Sequence, residues 1–354
     1  MKEYPSIMKK GNPFTLSFGK SPTELISRHE HINEIVDVFQ SDNPMSHAYL
    51  IEGIRGCGKT VLMTSIEKEL AKNEDWIVVD LNSTQDLLSD LAFRLVDACK
   101  NFSDVLKNGF NVSIAGFGIG INGDKAPQDN VSIISEIIGN LSKKGKRILI
   151  TIDEVMNGSN MRHFASEFQI FLRKDFPVFL LMTGLYENIY SIQNDPALTF
   201  LLRTPKKRLE PLSIMQISRV YGDVFGIGDE EAKKLAKTTK GYAFAFQALG
   251  LLYYDNRDDL PLEKIIQKFD ELLDDFVYKK IWQGLSQQDK NVVFAIGESK
   301  AKVSDVCSKV GMTSQVFSKY RQRLVNLGLA ESPQHGYIAL TLPRLSEIAK
   351  YYEL

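Results

Sequence analysis

Two kinds of apolar spacing alternate through the N-terminal part of the chain. Short, mainly apolar runs suit buried strands at His47–Glu52, Trp76–Leu81, Arg147–Ile152 and Val178–Thr183. Between them apolar positions return every three or four residues. That spacing predicts amphipathic helices over Pro22–Gln40, from Thr60 to Leu70, and over Gln85–Phe102, Val131–Leu141 and Met161–Lys174. Strands separated by helices predict an α/β domain, a mainly parallel sheet in three layers covered on both faces. Residues Phe110–Asn122 break this rhythm: Val112, Ile114, Phe117, Ile119 and Ile121 nearly alternate with glycines, as in a hairpin or extended insertion. After Pro211 the pattern is helical until a final extended segment near Tyr337–Leu342.

Length and composition add limits to this picture. The chain has 354 residues, 44% hydrophobic and 25% charged, which suits two or three globular domains. Boundaries are expected near Pro205–Pro211 and Gly284, giving segments 1–205, 206–284 and 285–354. Lys and Arg total 43 against 44 for Asp and Glu, so any nucleic-acid surface must be local. Cys57, Cys99 and Cys307 lack metal-ligand spacing, and a reducing, cytoplasmic setting is expected. Met1–Lys20 has no continuous apolar run, so no signal peptide is expected, and no stretch reaches the roughly 18 apolar residues of a membrane span.

The candidate chemistry sits where strands end. Gly53-Ile54-Arg55-Gly56-Cys57-Gly58-Lys59-Thr60 is a complete phosphate-loop motif between an apolar strand and an apolar helix beginning Val61-Leu62. Its glycines permit close backbone approach, and the loop amides and helix N-terminus are suited to phosphate. Gly53 to Thr60 with Val61 form the expected nucleotide-contacting set. Lys59 is expected to neutralise β/γ-phosphate charge and Thr60 to ligate Mg²⁺. The strand Ile148–Ile152 ends in Asp153-Glu154, which supplies a second Mg²⁺-site residue and a base or orienter for attacking water. Thr183, closing the next strand, is a candidate sensor of the γ-phosphate. Arg203 is a candidate for reaching a nucleotide in a neighbouring subunit. These residues predict ATP and ADP binding with Mg²⁺ and an ATPase activity.

The last segment reads helix, helix, turn, helix, wing. Val303–Val310 is a short helix, Gly311-Met312-Thr313 a turn with Thr313 as N-cap, and Ser314–Leu327 a helix with Val316, Tyr320, Leu324 and Leu327 inward. Ser314, Gln315, Ser318, Lys319 and Gln322 lie away from that stripe, with Arg321 and Arg323 on its flanks. Ser332–Tyr337 suits the wing. This order predicts a winged helix-turn-helix whose second long helix enters the major groove of double-stranded DNA. From Leu285 onward nine Lys/Arg face six Asp/Glu, a balance of +3 against −1 for the chain. Contact with a protein partner is the alternative use of the module.

Taken together, the motifs resemble those of AAA+-type P-loop ATPases of the initiator/STAND branch, among them bacterial and archaeal ATP-binding proteins with a C-terminal winged helix. The leader Pro13-Phe14, Phe18-Gly19, Pro22, Arg28 and Glu30 is similar to the segment that precedes the phosphate loop there and lies near the adenine, which implies a nucleotide contact for Arg28. Arg55 inside the loop, Thr183-Gly184 at the sensor 1 position and Leu209-Glu210-Pro211-Leu212 at the junction to a helical lid continue the likeness. One departure stands out: Gly241-Tyr242-Ala243-Phe244-Ala245-Phe246-Gln247 carries neither the proline nor the sensor 2 arginine of many relatives. The resemblance implies a P-loop ATPase core, a helical lid and a winged helix acting as a nucleotide-controlled switch with slow hydrolysis. Alternatives are a DNA-binding regulator that oligomerises with ATP and a STAND-type scaffold that signals through protein contacts. No second substrate-binding constellation supports a metabolic kinase.

Overall fold

The structure, a computed structural model, describes residues 11–17, 26–100 and 130–352. The expected insertion at 110–122 and leader residues Phe18, Gly19 and Pro22 lie outside the described residues. The chain divides into two compact units. One comprises Arg28–Gly53 and Lys59–Leu209; the other gathers the described part of Met1–Ser27 with Ile54–Gly58 and Glu210–Leu354.

In the first unit, β1 (Ala48–Glu52), β2 (Trp76–Leu81), β3 (Arg147–Ile152), β4 (Val178–Gly184) and β5 (Lys206–Arg208) form a wholly parallel sheet in the order β2-β3-β4-β1-β5. Alternation of side chains splits each strand between the two faces. Ile148, Ile150, Ile152, Leu180 and Met182 join one core with helices α3 (Leu87–Lys100), α4 (Asn130–Lys143) and α5 (Ser159–Arg173). Phe179 and Tyr49 point the other way, with ring centroids 5.1 and 5.6 Å from Phe39 of α1 (His29–Gln40). Helix α2 (Lys59–Leu70) is a neighbour of α1, β1 and β4, and α6 (Tyr186–Gln193) of β1 and β4. Every residue of β4 is buried, as expected of a central parallel strand covered twice.

One helix start and one strand stand apart from what the apolar spacing predicts. Of the helix expected over Pro22–Gln40, residues 22–25 lie outside the described residues; 26–28 are not helical, Ile26 being buried in the core of the other unit, and the helix runs from His29. The fifth strand, Lys206–Arg208, carries no apolar signal. It is an edge strand held to β1 by backbone pairing, Leu50 to Lys206 and Glu52 to Arg208, so its side chains are free to be polar.

The second unit has one continuous hydrophobic core, from Ile217 on α7 (Ile214–Phe225) through to Ala349. Helix α8 (Asp229–Thr238) packs on α7, and α9 (Ala243–Asn256) packs on α10 (Leu262–Leu273). The leader is fastened to α9: Phe14 is buried against Gly250, Asn12 donates to the Leu251 carbonyl at 3.0 Å, and Thr15 N–H donates to Gln247 Oε1 at 3.1 Å. Truncating such a buried phenyl ring costs about 3–5 kcal/mol.

The chain continues through α11 (Lys279–Gln283) to α12 (Gln287–Ile296), β6 (Ala301–Lys302), α13 (Val303–Val310), α14 (Ser314–Asn326), β7 (Ala330–Glu331), β8 (Tyr337–Leu340) and α15 (Leu345–Ala349). Strands β6, β8 and β7 form a small antiparallel sheet in that order, and residues 332–336 turn between β7 and β8. Thr313 caps α14 by accepting from Val316 N–H at 3.4 Å. The inward stripe of α14 keeps Leu324, buried, with Tyr320 and Leu327 partly buried, and differs at one position: Phe317 is buried, whereas Val316 is 45% exposed. A valine and a phenylalanine side by side leave that choice to tertiary packing, and the larger ring takes the core.

Candidate functional site

The strand order brings the ends of β3, β4 and β1 side by side, with β4 in the middle. Residues following these three strands are therefore neighbours at the carboxyl edge of the sheet, where α/β proteins place their ligands. Ile51 pairs with Thr183 and Ile152 with Met182, so Gly53, Asp153 and Thr183 emerge at nearly one level.

Thr60, in the first turn of α2, donates its hydroxyl to Asp153 Oδ2 at 2.7 Å. Thr183, fully buried, donates to the other carboxylate oxygen, Oδ1. The Glu154 N–H is shared between Asp153 Oδ1 at 3.0 Å and the Thr183 hydroxyl at 3.2 Å. The Thr183 carbonyl accepts from Val155 N–H at 2.8 Å. Asp153 is thus gripped from both sides, and the turn after β3 is tied to β4 through side chain and backbone. Glu154 occupies the left-handed region at φ 53°, which disfavours any side chain with a Cβ. Glu154 is an exposed residue.

Lys59 opens α2 and is 7% exposed, with Nζ donating to the Gly53 carbonyl at 3.1 Å across the base of the loop. Gly56 and Gly58 stand at φ 76° and 96°, which only glycine adopts readily. The middle of the loop, Ile54–Gly58, belongs to the other compact unit, where it meets Gly241–Phe244.

Behind Asp153 the sheet is acidic. Thr151, fully buried, donates to Asp80 at 3.3 Å, and Glu67 of α2 has one buried carboxylate oxygen without a hydrogen-bond partner. Burial, opposed by a Thr151 hydrogen bond and reinforced by the Asp80 and Asp153 charges, raises the Glu67 pKa from its ordinary value.

The remaining sequence-derived candidates are dispersed. Arg28 immediately precedes α1, close enough to His31 to lower its pKa, after the larger effect of burial. Arg203 is exposed on a 3-10 turn, Leu201–Arg203. On α14, Ser314, Gln315, Ser318, Lys319 and Gln322 are exposed. The two arginines are engaged internally: Arg321 donates to Ser332 Oγ at 2.6 Å, and Arg323 pairs with the fully buried Asp289 at 3.2 Å. Sequence spacing missed Tyr242 and Lys240, whose contacts join segments far apart in the chain.

A family described as a domain of unknown function (DUF8462) matches residues 275–347. No curated protein matches the chain. Among solved structures, the Walker-type ATPase PABY2304 of Pyrococcus abyssi is similar at 12% identity and a TM-score of 0.60, covering 92% of this chain and 96% of that one. The ORC2 protein of Aeropyrum pernix, in ADPNP–ADP complexes, is similar at 13% identity and a TM-score of 0.61, with 95% and 96% covered. Cdc6p of Pyrobaculum aerophilum follows at 15% identity and a TM-score of 0.50, with 95% and 96% covered. The chain therefore has the fold of the initiator-type P-loop ATPases.

Proposed function

We propose that this chain binds ATP at Gly53–Thr60 and hydrolyses it slowly, as a nucleotide-controlled switch. The observation that carries the reading is the convergence of Thr60, Asp153 and Thr183 at the sheet's carboxyl edge, beside a buried Lys59. The oxygens of Thr60 and Asp153 are hard donors that fit Mg²⁺. An ion held by these two oxygens would be completed by phosphate oxygens and water. Such an ion would supply charge neutralisation between the phosphates.

The chain's own residues then have distinct roles. Loop amides and the N-terminus of α2 bind phosphate oxygens. Lys59 exchanges its Gly53 carbonyl for β/γ-phosphate. Thr183 fixes Asp153 and the Glu154 backbone, and Glu154 orients the attacking water. Arg28 lies on the adenine side, and Val61 continues the phosphate-facing turn. Arg203 completes a neighbouring subunit's site when copies assemble.

Calorimetric titration with MgATP tests the core of this reading. Wild-type protein is expected to bind, and Lys59→Ala to lose binding by at least tenfold. Equal binding by the two would overturn the assignment.

For the C-terminal segment the order α12, β6, α13, α14, β7, β8 supports a winged helix, with α14 as recognition helix for double-stranded DNA. The internal pairing of Arg321 and Arg323 favours a second reading, in which the module contacts protein, as in STAND-type scaffolds. An electrophoretic shift at low salt that depends on Lys319 supports the first. Absence of any shift, together with ATP-dependent assembly by light scattering, supports the second.

A further inference from the structure

The stretch Lys240–Phe244 meets the loop Gly53–Thr60 at its backbone carbonyls. Tyr242 is 4% exposed and donates its hydroxyl to the Arg55 carbonyl at 2.6 Å. Phe244 N–H donates to the Gly56 carbonyl at 3.0 Å. A Cβ at Gly56 would lie 2.2 Å from Tyr242 Oη and 3.0 Å from Phe244 Cβ, so the loop and the turn meet without room for a side chain. All peptide bonds described are trans, and a trans peptide points its carbonyl and N–H in opposite directions. Holding the Arg55 carbonyl therefore aims the Gly56 N–H away from Tyr242. Cys57 N–H turns back to the Ile54 carbonyl at 3.4 Å, a long bond that a phosphate oxygen can replace.

The same turn reaches in a second direction. Lys240 Nζ donates to the carbonyls of Leu340 at 3.2 Å, Glu298 at 3.4 Å and Leu342 at 3.5 Å, and pairs with the Glu298 carboxylate at 3.7 Å. Next along the chain, the Pro343 carbonyl accepts from the buried Tyr278 hydroxyl at 2.6 Å. Trp282, one helical turn beyond Tyr278, is buried with ring neighbours Phe294 and Tyr352.

We propose that Tyr242 is a positioning residue for the phosphate loop, and that the Lys240–Phe244 turn relays loop occupancy to the C-terminal segment 298–342. This rests on the nucleotide reading of Gly53–Thr60. Phosphate binding reorients the loop amides, the carbonyls held by Tyr242 and Phe244 move with them, and Lys240 passes the displacement to three C-terminal carbonyls.

The test uses the full chain carrying Trp76→Phe, which leaves Trp282 as the single tryptophan. MgATP affinity is read by calorimetry and Trp282 emission in parallel. The parent is expected to bind with a change in emission. Tyr242→Phe, which removes one oxygen, is expected to bind roughly fivefold more weakly, the effect of one hydrogen bond, with a blunted emission change. Lys240→Met is expected to bind within about twofold of the parent, a difference too small to reflect a lost hydrogen bond, and to lose the emission change. Lys240→Arg is expected to keep it. Far-UV dichroism checks folding, and Tyr242→Phe carries the test if Lys240→Met does not fold. Parental affinity in Tyr242→Phe, or a full emission change in Lys240→Met, would overturn the relay. Binding with a silent Trp282 overturns the relay alone, whereas no binding by the parent overturns the nucleotide reading as well.

Discussion

Thr183 gives its buried hydroxyl hydrogen to Asp153, and the Glu154 N–H is directed at that same hydroxyl from 3.2 Å. One threonine at the end of β4 thus sets both acidic residues at the end of β3. Thr183→Val keeps the shape and removes both interactions. It is expected to lower stability by about 1–2 kcal/mol in urea denaturation, and to reduce ATP turnover more than ATP binding. Unchanged turnover would show that Asp153 and Glu154 are placed without it.

Glu154 separates backbone conformation from chemistry. Glu154→Gln is expected to retain MgATP binding and lose hydrolysis. Glu154→Gly also loses the carboxylate but relieves the left-handed conformation, and is expected to gain about 1 kcal/mol of stability. Phosphate-release assays and thermal melts on both variants check this, and normal turnover by Glu154→Gln would refute the role.

Glu67 gives a pH-dependent outcome. Its folded pKa is raised by burial, so the folded chain keeps this proton to higher pH than the unfolded chain does. The stability contributed is present below the unfolded value and is lost as pH rises through the folded one. Glu67→Gln keeps a neutral side chain throughout, and its amide can donate to the Thr151 hydroxyl. At pH 7 it is expected to melt roughly 2–4 °C higher than wild type, as about 1 kcal/mol would produce. That difference is expected to shrink towards zero below about pH 4, where the unfolded carboxyl is also protonated. A constant difference across pH would exclude titration of Glu67 as the cause.

Arg323 and Lys319 lie on the same helix but differ in what holds them. Arg323→Ala leaves the carboxylate of buried Asp289 without its cation and is expected to cost about 1–3 kcal/mol. Lys319→Ala, on an exposed position, is expected to change stability by less than about 0.5 kcal/mol. If α14 reads DNA, Lys319→Ala also weakens binding and reduces its salt dependence by about one counterion. Equal melting temperatures for the two variants would contradict the structural role of Arg323.

Much of the fold was legible because the inner strands β3, β4 and β1 are largely buried, and such strands are mainly apolar. Trp76–Leu81 and Arg147–Ile152 begin and end where their apolar runs do. The loop and the acidic pair were legible because glycine and carboxylate at strand ends are chemical choices as well as packing choices. Lys206–Arg208 was silent because an edge strand needs only its backbone. Val316 and Phe317 could not be ordered by spacing, since both fit a helical stripe and tertiary contacts chose between them. Tyr242 stands in a stretch that the sequence marks only by the residues it lacks. Its significance depends on a carbonyl 187 residues away, and no local pattern carries that distance.

The same separation sets an order of assembly. At roughly 5–20 residues per second, a ribosome needs about 10–40 s to go from Arg55 to Tyr242. Strands β1 to β4 are complete before the turn that fastens Arg55 and Gly56 has been made. A nascent chain therefore has strands β1 to β4 in hand before Tyr242 and Phe244 can hold the carbonyls of Arg55 and Gly56.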